Sequence, residues 1–100
     1  MVRHIVFYRF SDKVNNSNME SVKNTICECV EDMKSAGIEG ANSIEIAFNT
    51  LPGEPEVCLI CEFADFDALK GFAVHETHDV LRIKTKDFCT GRIAFDYEYW

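Results

Sequence analysis

Proline is almost missing from this 100-residue chain: there are two, Pro52 and Pro55, both in one short stretch. Elsewhere nothing of that kind stops helices and strands from running their length. Cations are scarce as well, ten Lys and Arg against seventeen Asp and Glu, for a formal net charge of −7. Phosphate recognition needs clustered basic residues, so nucleic acid is a poor partner. No apolar run approaches the length of a bilayer span, which argues against a membrane partner. There are no repeats and no low-complexity tract, and 47% hydrophobic with 27% charged residues is ordinary for a globular chain. One domain over residues 1–100 is the expectation.

Five cysteines, Cys27, Cys29, Cys58, Cys61 and Cys89, are an odd set. The first strand-like run starts at Val2, directly after Met1, so no leader is expected ahead of it. Reduced thiols in the cytoplasm, with no structural disulfide, are therefore expected. Cys58 and Cys61 spell Cys-x-x-Cys, but strand residues three apart point to opposite faces and cannot act together.

Val2 to Phe10 is rich in β-branched and aromatic residues and reads as a strand with apolar residues on both faces. Ser17-Asn18-Met19-Glu20 has capping-box spacing, and Met19, Val22, Ile26, Val30 and Met33 make the apolar stripe of a helix that Gly37 stops. Ser43 to Phe48 alternates as a strand. The two prolines mark a loop. Val57 to Phe63 reads as a third strand, buried on both faces. Asp65 or Asp67 caps a helix carrying Phe66, Leu69 and Ala73, and a second helical piece around Val80 to Ile83 follows, for which Thr77 is a candidate cap. Gly91 to Tyr99 alternates as the last strand, with Ile93, Phe95, Tyr97 and Tyr99 on one side.

The order β-α-β-β-α-β predicts an α+β fold of the ferredoxin-like type, a four-stranded antiparallel sheet with helices on one face. Two helices leave the second face bare, yet the first and third strands are apolar on both sides. A second copy of the chain is expected to cover it. The aromatic set Phe95, Tyr97, Tyr99 and Trp100 suits such an interface, Tyr97 and Tyr99 above all.

Two of the three histidines lie in Phe72-Ala73-Val74-His75-Glu76-Thr77-His78, where a helix beginning near Asp65 breaks or bends. On one continuous helix, His75, His78 and Phe72 would share a face. His75 and His78 alone do not make a metal site, because a stable one needs three or four ligands and no cluster completes this pair. No metal and no cofactor is expected.

The opening Val2-Arg3-His4-Ile5-Val6, the Val74-His75-x-x-His78 stretch and the closing Phe95-Asp96-Tyr97-Glu98 together resemble the stress-responsive α/β-barrel (Dabb) family over essentially the whole chain. The resemblance implies a dimeric α+β barrel. It also implies a site, since a few plant members cyclise linear polyketides with a histidine matching His78 as base, an aspartate matching Asp96 as its orienter, and histidines matching His4 and His75 nearby. Phe72 stands where those cyclases carry a tyrosine that polarises the substrate carbonyl, and Val57 and Cys27 replace further polar pocket residues. Glu76 replaces a proline common between the two family histidines.

Three readings follow. In the first, a homodimer binds a small hydrophobic or phenolic ligand through His4, Phe72, His75, His78 and Asp96. In the second, His78 and Asp96 are catalytic in a cofactor-independent cyclase or isomerase. In the third, the histidines only hold the fold, since buried polar groups need partners whether or not they catalyse.

Overall fold

The computed structural model describes residues 1–100. The elements are β1 (Val2–Phe10), α1 (Met19–Ser35), β2 (Ala41–Phe48), β3 (Val57–Phe63), α2 (Phe66–Ala73), α3 (Glu76–Thr85) and β4 (Cys89–Glu98). The strands form one antiparallel sheet in the order β2-β3-β1-β4. This is the ferredoxin-like βαββαβ arrangement, with the second helix broken into α2 and α3.

The register sorts the side chains onto two faces. Val2 lies opposite Phe63, Val6 opposite Leu59 and Ile44 opposite Cys61, and all six are buried beneath the helices. Met33, Cys29 and Val30 from α1 and Phe72 from α2 complete this core. Ile5, Ile60 and Phe95 make a row on the other face, and Phe7, Cys58 and Ile93 make a second. No helix covers these rows, so β3 is buried on one face only, contrary to the expectation from its composition: Cys58, Ile60 and Glu62 are half-buried. Phe95 is 59% exposed and Ile93 66%. The Cys58–Cys61 pair is split across the sheet as the strand period requires, and all five cysteines are free thiols.

The expected capping box at Ser17 does not form. Asn18 is the N-cap of α1 and its side chain makes no bond to the helix. That amide faces backwards, accepting from Asn15 N at 2.8 Å and donating to Lys13 O at 2.9 Å, so it holds the preceding turn instead. Asp65, in contrast, caps α2 by accepting from Ala68 N at 2.8 Å.

Between β1 and β4 the register slips: Phe7 faces Ile93 while Arg9 faces Thr90, so Tyr8 alone opposes Gly91 and Arg92. Gly91 has φ 63°, the left-handed value that a bulge of this kind demands. The extra residue inverts the alternation of β4 below it. Cys89 therefore joins Phe10 and Tyr8 on the helix side instead of following Ile93 to the open side.

Candidate functional site

His4 is a polar residue in a valine-rich strand. It sits between Val2 and Val6 on the covered face, 6% exposed, directly opposite Asp96. Its Nδ1–H donates to Asp96 Oδ1. The bond joins the central strand to the edge strand and gives the buried imidazole the partner that burial demands. Phe72 is fully buried beside it, with ring centroids 6.3 Å apart.

On the far side of Phe72 lies His78, in the first turn of α3, with centroids 5.0 Å apart and rings nearly perpendicular at 79°. Phe72 is thus a wedge between two imidazoles. Burial pushes the His78 pKa below its ordinary value, and the nearby Arg82 charge adds to this. The imidazole is neutral at pH 7. Its Nδ1 is buried and has no hydrogen-bond partner, an arrangement that a folded chain rarely leaves without a reason.

The helix breaks at Val74 and His75, so the two histidines do not share a face. His75, not Thr77, is the N-cap of α3: its Nδ1 accepts from Thr77 N at 3.2 Å and lies 2.8 Å from Thr77 Oγ1. A histidine at a cap satisfies an orphan helix donor, a structural task. The ring borders a different depression, an open groove of about 520 Å³ against Gly37–Gly40 and α2.

His78 borders an apolar cavity between the covered sheet face and helices α1 and α3. Ile26, Ile46, Val57, Leu59 and Leu81 supply the apolar walls, and Tyr8 and Cys89 join His78 among the polar groups. Its volume is about 30 Å³, close to one water molecule's share of the liquid. Burial, with the Glu56 charge second, raises the Cys89 thiol to about 11, so it stays protonated.

Of the residues singled out from sequence, the structure brings His4, Phe72, His78 and Asp96 into one row and leaves His75 outside. The carboxylate of Asp96 is bonded to His4, not to His78, so the anticipated base-and-orienter pair is not formed. Only His78 of this set reaches the cavity. Tyr8 and Cys89 were not foreseen. Tyr8 was within reach, since it follows His4 and Val6 on the same strand face. Cys89 was not, because the bulge reverses its side. No group of three or more His, Cys, Asp and Glu residues converges as a metal site would require.

These features define a ferredoxin-like α+β domain with one apolar sheet face closed by helices, a second left open, and a neutral histidine set into the closed side. The description "stress responsive A/B barrel domain" is that of the family model that matches residues 2–99, and the chain belongs to this Dabb family. A dimeric protein of unknown function from Bacteroides fragilis, with a ferredoxin-like fold, is 30% identical, with 98% of this chain and 95% of that one covered at a TM-score of 0.87. A Dabb family protein from Mesorhizobium loti is 19% identical over 99% and 96% of the two chains, TM-score 0.75. An antibiotic biosynthesis monooxygenase shares the fold at 14% identity over 100% and 99%, TM-score 0.76. No protein of curated function matches. No helix is long and apolar enough to cross a membrane.

Proposed function

We propose that two copies of this chain, each one domain, pack their open sheet faces into an α+β barrel, and that each copy binds a small apolar or phenolic molecule beside His78. The observation that carries the ligand reading is that His78, whose Nδ1 is buried and unpartnered, is one of the residues lining an apolar cavity. A neutral imidazole there offers one directional hydrogen bond in a site whose lining is mostly apolar, the usual make-up of a small-molecule pocket. The dimer is supported by the two uncovered apolar rows and by the dimeric state described for the Bacteroides fragilis protein. Free thiols at all five cysteines support a reducing compartment, the cytoplasm.

A benzene-sized guest occupies a cavity of roughly 150 Å³, several times the closed volume. Binding therefore requires α3 to move outward. It packs against α1 and is joined to α2 through the chain at Val74 and His75 and through the contact of Phe72 with His78, and the break between the two helices is the hinge we assign.

A titration of the His4, His75 and His78 imidazole NMR signals with small phenolic and β-keto compounds tests the reading. Saturable shifts at His78, the largest of the three imidazoles, are expected. A panel that leaves His78 unshifted sinks it and leaves a histidine that serves the fold alone.

A second reading, enzymatic, has one observation in its favour: the neutral His78 presents an unprotonated nitrogen at pH 7. As a base it would take a proton from the carbon next to a carbonyl, the electron pair passing to the carbonyl oxygen. Asp96 is committed to His4 and Phe72 has no hydroxyl, so neither plays the part its counterpart has in the polyketide cyclases. A His78→Ala protein that keeps its ligand but loses turnover of a β-keto compound would favour this reading.

A further inference from the structure

Five residues on the cavity wall carry polar groups: Tyr8, His78, Arg82, Thr85 and Cys89. Two of them are committed elsewhere and a third is a weak partner. Arg82 is held by Asp79 at 2.5 Å, one turn back on α3. The Thr85 hydroxyl donates to Leu81 O at 2.7 Å. Cys89 is a protonated thiol, a weak donor. That leaves the Tyr8 hydroxyl and the His78 imidazole. The one tyrosine hydroxyl bonded within the chain is that of Tyr97, to Arg3, on the open face.

Tyr8 rises from the sheet at the bulge, packed against the core and half-buried, while His78 comes from the helix above. The two approach the cavity from opposite layers. We propose that Tyr8 is the second hydrogen-bonding group of the ligand site, and that Tyr8 and His78 together select a molecule with a phenolic or enolic hydroxyl. Such a hydroxyl both accepts and donates. It can accept a hydrogen bond from the Tyr8 O–H and donate one to a neutral imidazole nitrogen, whereas a methyl group of the same size satisfies neither partner. This rests on the pocket reading above and adds the sheet residue that completes it.

The test compares phenol with toluene, equal in shape, on the full-length wild type and on Tyr8→Phe. Occupancy is read from the His78 imidazole signals. The wild type is expected to bind phenol at least as tightly as toluene. In Tyr8→Phe the phenol-to-toluene affinity ratio should fall by about tenfold, since a buried hydroxyl loses one partner. Toluene binding should persist and shows that the variant is folded. Independently of the variant, the ¹³Cζ signal of Tyr8 in the wild type should move with phenol and stay still with toluene. An unchanged ratio, or a Tyr8 signal indifferent to phenol, overturns the role of Tyr8 while leaving the pocket intact. Binding of neither compound overturns the pocket reading and this proposal with it.

Discussion

The two faces of the sheet are built from the same kind of residue and have opposite fates. Val2, Val6, Leu59 and Phe63 on one side are almost completely removed from water, and Ile5, Phe7, Ile60 and Phe95 on the other lie open to differing degrees. Burial in one chain depends on what packs above a residue. The covered face has three helices over it, and the open face has only its own polar margin, where Arg3 bonds Glu62 at 2.7 Å and packs over the Tyr99 ring at 4.3 Å. The covered face thus holds the monomer together, and the open face is the one proposed to pair with a second copy.

The contrast is tested most severely on the covered side. Phe72→Ala opens a hole between His4, Phe63 and His78 and should cost about 3–5 kcal/mol, read as a lowered urea midpoint. A cost below about 1 kcal/mol would mean that the wedge is not part of the core. On the open side Phe95→Glu should leave the fold of each chain intact and weaken association by about 2 kcal/mol or more, seen as monomer in sedimentation at concentrations where the wild type is dimeric. Should that variant unfold, or remain a dimer, the division of labour between the faces fails.

The smallest effect is in pH. The folded-state pKa of His78 lies below its unfolded value of 6.5, so the unfolded chain takes up the proton first. Stability contributed by the neutral imidazole is complete above pH 6.5 and is lost as pH falls below it. His78→Phe should flatten that slope between pH 7.5 and pH 5 relative to the wild type, with His4 and His75 common to both. Parallel curves would show that His78 titrates alike in both states.

The histidine row shows where local reading of the sequence stops. His4 was visible as a polar residue among the apolar neighbours of a strand, and His78 as one of two histidines where a helix breaks or bends. So was the break before α3, where the apolar spacing falters. Their pairing was not visible. Asp96 was assigned to His78, and the register of β1 against β4 gave it to His4, because cross-strand partners are set by how two distant segments align. His75 was grouped with His78 by spacing, and the broken helix turned it into a cap. Tyr8 escaped notice because a tyrosine on an apolar strand face reads as core until the cavity beneath α3 is seen.

By itself the sequence determined the element order, the apolar stripe of α1, the alternation of β2 and the apolar character of both faces of β1, since each follows from side-chain periodicity within a single segment. Only the tertiary structure decided that β3 is buried on one side in the single chain, that Asp96 belongs to His4, that Gly91 turns Cys89 inward, and that Tyr8 and His78 meet one cavity. Those outcomes depend on register and on layers closing over one another, and neither is encoded within a single segment.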